Sequence, residues 1–329
     1  MNSREIVART LDFSIPERIA HSFYPSDLSW GGVHTRSPRN FWQKKDSAKW
    51  TRIDEWGNVW EKTTSSSRGY IIKGAIENHQ KAASFPLPDH KNLSQYNTAR
   101  TGFKFSPEKW HIGLLSGSTF ELAYSLCNNY LSEILSHYEA IRVLHDRIDE
   151  LLRDEVCCFK AIGADSVMII EDLAETLDVS MSLNLWHEEF KPRFKSLCAF
   201  IHDKNMKLFF HPLEQSRLVS ELIDAGVDCI QLDTPETIGL KNLEDLQSQY
   251  SVTFWCPLDI NTVLPSKNEN FIRQKAREMI KLLWKGKGGF IAGYYWDNAS
   301  LGLHPKWQDY GCDEFLKYGT HPFDLPDNE

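Results

Sequence analysis

The sequence contains no apolar run approaching the roughly 18 residues that a membrane-spanning helix needs. Its opening, MNSREIVART, lacks the apolar centre of an export signal. A cytosolic protein without a membrane partner is therefore expected. The seven cysteines (Cys127, Cys157, Cys158, Cys198, Cys229, Cys256 and Cys312) include no CxxC pair. That spacing argues against a zinc finger or a disulfide framework and points to mostly buried free thiols. There is no block of basic residues, and the net charge is -8. General nucleic-acid and membrane-surface binders need a cationic face, so neither class fits. No glycine-rich dinucleotide fingerprint follows a strand, which counts against a Rossmann domain. Internal repeats and low-complexity linkers are also missing.

What the chain does have is a rhythm of apolar strands and amphipathic helices. At 41% hydrophobic and 25% charged residues, it has the composition of an ordinary globular protein. SREIVARTLDF reads as a helix with Ser3 as N-cap. RIAHSFY (18–24) reads as a short strand, and the stretches either side of Gly57 read as a β-ribbon. From residue 111 onward the alternation is regular. HIGLLSG, DSVMIIED, KLFFHP, DCIQLDTP, VTFWCPLD and GFIAGYYWDN read as strands, and helical segments lie between them. One of these, about 131–160, is long enough to serve as a homodimer interface. Continuously apolar strands separated by helices predict buried parallel β-structure. The expected fold is α/β, a TIM-type (β/α)8 barrel. It is expected as a single domain over 1–329 with an irregular N-terminal segment of about 1–110.

In such a barrel the reactive residues sit at the C-terminal ends of the strands. Glu171 and Asp172 follow SVMII, and His211, with Glu214 nearby, follows KLFF. Asp233 follows CIQL, Asp259 follows FWCPL, and Tyr294, Tyr295, Trp296 and Asp297 follow FIAG. Each has a structural reading as well, as a helix cap, a turn residue or packing. Four successive strands ending in ionisable groups favour a shared polar pocket. The candidate catalytic set is His211, Asp172 and Asp259, with Asp233, Tyr294, Tyr295 and Trp296 against the substrate. His211 with Glu171 and Glu214 could hold zinc, or the same groups could relay a proton. The sequence leaves both open.

The segment from GADSVMIIED through the LWHEEFKPR helix, KLFFHP and ELIDAGVDCIQLDTPE resembles the uroporphyrinogen decarboxylase-like family. FWCPLDINTVL, GGFIAGYYWDN and the opening SREIVARTLDFSIPERI continue the resemblance over nearly the whole chain. It implies a TIM-type barrel and one of two chemistries. One is cofactor-free decarboxylation of a tetrapyrrole. The other is methyl transfer involving corrinoid proteins, thiols or methylated small molecules, often with zinc. The decarboxylase branch carries an arginine-rich MRQAGRY stretch where this chain has IAHSFYPSDLSWGG, and Trp296 replaces the histidine of its late NLGHG motif. The zinc motif of the methyltransferase branch is His-x-Cys plus a later cysteine. His211 matches the histidine, but Leu213 stands at the first cysteine position, and Tyr295 or Trp296 at the second. The leading expectation is a methyltransferase-like enzyme acting on a small methylated or aromatic compound, with a corrinoid protein as partner. The alternatives are a decarboxylase of another acid, using Arg18 as its cation, and a binding protein that kept the barrel and lost catalysis.

Overall fold

The computed structural model describes residues 1–33, 41–46, 49–64, 67, 69–171, 183–212 and 219–323. Eight strands form one sheet: β1 (Ala20–His21), β2 (Leu28–Gly32), β7 (Trp110–Leu114), β8 (Ser166–Glu171), β9 (Lys207–Pro212), β10 (Cys229–Gln231), β11 (Thr253–Cys256) and β12 (Phe290–Ala292). Their order is β1-β12-β11-β10-β9-β8-β7-β2, and every pairing is parallel. The two edge strands are consecutive in the chain, and Asp27 N donates to His21 O (2.9 Å) across the gap between them. The sheet therefore curls into the expected TIM-type barrel, with one short seam.

The predicted N-terminal helix spans Ser3–Leu11. Its cap is Asn2, one residue earlier than expected: the Asn2 side chain accepts from Glu5 N. The Gly57 ribbon is part of a four-stranded antiparallel sheet: β3 (Gln43–Lys44), β4 (Trp50–Ile53), β5 (Val59–Lys62) and β6 (Tyr70–Lys73). This sheet is inserted between β2 and β7, within the N-terminal stretch of about 1–110. It docks through Asn128, whose amide exchanges hydrogen bonds with Gly74 N (2.9 Å) and Gly74 O (3.1 Å). The long predicted helix is Tyr138–Ala161. It approaches β7 so closely that a Cβ at Gly113 would lie 2.3 Å from Phe159 Cγ. The C-terminal segment contains the helix Lys306–Tyr318. Among the described residues no helix is long and apolar enough to cross a membrane.

Strand alternation divides the core in two. Met168, Phe209, Cys229, Trp255 and Ile291 fill the barrel lumen, with Ile6, Val7 and Leu11 of the first helix packed against them. Val167, Ile169, Leu208, Phe210, Ile230, Phe254 and Phe290 belong to the larger layer between the strands and the helices.

Candidate functional site

The same alternation sorts the strand-end residues. His211 lies two positions after Phe209 and is register partner to Ile170, so it faces the lumen. Asp233, four positions after Cys229, reaches the same space. His211 Nε2 lies 3.7 Å from Asp233 Oδ2, and Gln231 Nε2 contacts Asp233 Oδ1 at 3.5 Å. His211 is 6% exposed, and its Nδ1 has no hydrogen-bond partner among the described residues. Burial pushes the His211 imidazole below its ordinary value, outweighing the upward pull of Asp233. Burial likewise pushes the Asp233 carboxyl above its ordinary value, against His211 and Gln231. The two proton affinities are brought toward each other, as suits a pair that accepts and gives up one proton.

Aromatic side chains wall this pair. The Trp255 ring stands 6.3 Å from Phe209 and 6.4 Å from Trp30. Ser22 Oγ accepts from Trp255 Nε1 (3.2 Å) and from Tyr294 N (3.1 Å), tying the seam strand to the end of β12. Trp30 and Ile170, 46% and 39% exposed, leave apolar surface at the opening. Trp30, Trp255 and Ser22 were absent from the sequence-based candidates. The signal for Trp255 was its position on a strand, two residues after the inward Thr253 and beside an outward Phe254.

Not every candidate joins the pair. Glu171 is one residue past Ile170 and so points to the opposite side of β8. It is buried and lines a lateral cavity of about 620 Å³ with β6, Phe120, Tyr124 and Cys127–Ser132. The expectation that Glu171 and His211 share a metal therefore fails on the pleat: adjacent positions in a strand face opposite ways. Asp172 and Glu214, like Leu213, lie outside the described residues. Asp259 is 1% exposed. Its Oδ1 accepts from Asn261 N (3.0 Å), Thr262 N (2.8 Å) and Thr262 Oγ1 (2.8 Å), and its Oδ2 accepts from Glu236 N (3.0 Å). It clamps the loop after β11 to the short helix Pro235–Ile238, so the free carboxylate expected of a catalyst is here a loop anchor. The Tyr294 and Trp296 rings stand 4.8 Å apart with their planes tilted by 53°, and Trp296 is exposed. Tyr295 contributes backbone: its N donates to Gln308 Oε1 and its O accepts from Gln308 Nε2. Arg18 is spent on a two-pronged pair with Asp27, at 2.7 and 2.6 Å.

Zinc at His211 needs at least three protein ligands. The described residues offer His211 and Asp233, with Glu171 facing away, so they do not fit a zinc set there. Behind the lateral cavity lies a second buried network. Tyr130, on the cavity wall, hydrogen-bonds His145 Nε2 (2.8 Å), and His145 Nδ1 meets Glu189 Oε1 (2.7 Å). Glu189 also accepts from Tyr138 and Arg193. Burial lowers the His145 pKa, so the standing positive charge beside Glu189 is that of Arg193.

An all-parallel barrel with a buried histidine–carboxylate pair beside aromatic side chains suits an enzyme. Residues 79–295 match the model of the family described as uroporphyrinogen decarboxylase (URO-D), and the chain belongs to that family. Among solved structures it is similar to a methyltransferase from Methanosarcina mazei, with 13% identity and a TM-score of 0.62, covering 80% of this chain and 76% of that one. It is also similar to a B12-independent methionine synthase from Shewanella sp. W3-18-1 in complex with selenomethionine. There the identity is 12% and the TM-score 0.50, with 70% and 69% of the two chains covered. At these identities the likeness is one of fold. No curated protein matches the chain in sequence.

Proposed function

We propose that this chain is a methyltransferase-like enzyme that removes a methyl group from a small methylated or aromatic compound. The observation that carries the reading is the buried His211–Asp233 pair facing a lumen walled by Trp30 and Trp255. A methyl group bonded to oxygen or nitrogen is a poor electrophile until the leaving atom takes a proton. The pair supplies that proton. The bond from carbon to the leaving atom breaks with its electrons going to that atom, which is protonated, and the carbon bonds to the incoming acceptor. A corrinoid carried by a partner protein would supply the nucleophile, and the exposed apolar rim of Trp30, Ile170 and Trp296 suits a docking partner. Tyr294 and Trp296 extend the stacking wall. Asp259 anchors the loop after β11.

Decarboxylation is less well supported, because Arg18, the cation expected to hold a carboxylate, is neutralised by Asp27. The test is to incubate the protein with methylated aromatic compounds and reduced free cobalamin as acceptor. Methylated cobalamin formed in proportion to demethylated product is expected. Carbon dioxide release from carboxylated compounds, without methyl transfer, would overturn the reading.

A further inference from the structure

We propose that His79, Glu133 and His137 form a binding site for a divalent transition-metal ion such as Zn²⁺, separate from the barrel lumen. Glu133 and His137 stand one helical turn apart, Glu133 within the helix Tyr130–Ser136 and His137 capping it. His79 opens the short helix His79–Ala82, far away in sequence. Glu133 Oε2 lies 2.9 Å from His79 Nδ1 and 3.2 Å from His137 Nδ1. The three ligand atoms lie within 4.8 Å of one another, the one such grouping among the described residues. In a tetrahedral zinc site with bonds of about 2.0–2.1 Å, ligand atoms are separated by about 3.3 Å. Two edges of that figure are therefore nearly in place.

The chemistry of the donors agrees. Two imidazole nitrogens and one carboxylate oxygen are a three-ligand set that leaves a fourth position for water. The side chains are 26%, 19% and 43% exposed, so an ion can enter. The two imidazole rings stack face to face with centroids 3.5 Å apart and planes within 8°. Both in-plane nitrogen lone pairs would meet one ion only after one ring turns out of this stack, the charge then lying beside the carboxylate. The ion would also have a mechanical role. His79 follows the segment leaving β6 on one side of the lateral cavity, and Glu133 follows Leu131 and Ser132 on the other. A metal bound here would staple the two walls together.

The experiment is equilibrium dialysis of the metal-free full chain against Zn²⁺, with Co²⁺ as a spectroscopic substitute. One Zn²⁺ per chain is expected, together with visible Co²⁺ absorption bands of a low-coordinate site. His79→Gln and His137→Gln should each bind at least about tenfold more weakly, the loss that even an outer-shell change can cause. Zn²⁺ should raise the thermal midpoint of the wild type and not that of the variants. Both variants should match the metal-free wild type in circular dichroism. His211→Ala should bind Zn²⁺ like the wild type. No stoichiometric Zn²⁺ in the wild type would overturn the proposal. So would undiminished binding in both glutamine variants, or loss of the metal in His211→Ala alone.

Discussion

Replacing Glu189 by glutamine should make the protein less stable at neutral pH and remove much of its sensitivity to acid. Glu189 is 4% exposed. Burial alone would raise its pKa, but hydrogen bonds from His145, Tyr138 and Arg193 outweigh burial and hold it at about 2 against an ordinary 4.5. Lowering a carboxyl by that amount is worth about 3 kcal/mol once the group is ionised in both the folded and unfolded chains. The sign follows from proton binding. Below 4.5 the unfolded chain takes up a proton that the folded chain refuses until about 2, so this stability is complete above 4.5 and lost as pH falls toward 2. Glutamine keeps the shape and some hydrogen bonds, so Glu189→Gln should cost about 2–3 kcal/mol at pH 7. Urea unfolding of wild type and variant at pH 7 and at pH 3 measures both quantities. The gap should narrow at the lower pH. An equal gap at the two pH values would refute the claim that the Glu189 charge is what the network stabilises. Because Tyr130 belongs to the network, the variant should also disturb the lateral cavity.

Gly113→Ala should destabilise by about 1–3 kcal/mol through overpacking against Phe159, seen as a lower urea midpoint with an unchanged slope; a neutral result would mean that the helix Tyr138–Ala161 is not seated as described. Asp259→Ala should cost about 3 kcal/mol by releasing four hydrogen bonds, and any loss of turnover should follow the loss of folded protein; lost turnover in a fully stable variant would restore the catalytic role read from sequence. Asp233→Asn should lower turnover about 10²–10⁴-fold with little change in KM. Because Asp233 raises the His211 pKa, the pH at which residual activity falls should shift downward in that variant, and an unshifted profile would argue against the pair.

The barrel was readable because its strands are continuous apolar runs between helices, and such runs survive a one- or two-residue error in boundaries. The site was readable only in part. His211 and Asp233 were found as strand ends, but treating all strand ends alike missed the pleat, which sends Glu171 the other way from Ile170 and His211. Asp259 was legible as a carboxylate, yet its four hydrogen bonds come partly from Glu236, a contact that no local pattern encodes. The helix Thr119–Leu126 stops short of Asn129, which is left-handed (φ 57°), because Cys127 bridges to Ile76. The last helix went unseen because its inward positions include Gln308, Gly311 and Glu314. They are buried against Tyr295, Leu258 and the guanidinium groups of Arg273 and Arg277, and not in an apolar stripe. His79 and His137 carry no recognisable spacing, since 54 residues separate His79 from Glu133.

The most direct measurement is methyl transfer to cobalamin by wild type and His211→Ala, side by side, with the fold of each confirmed by circular dichroism and its urea midpoint. The wild type should demethylate at least one small methylated aromatic compound. His211→Ala, folded and with its midpoint little changed, should be slower by about 100-fold or more. Equal rates in the two proteins would remove His211 from the chemistry.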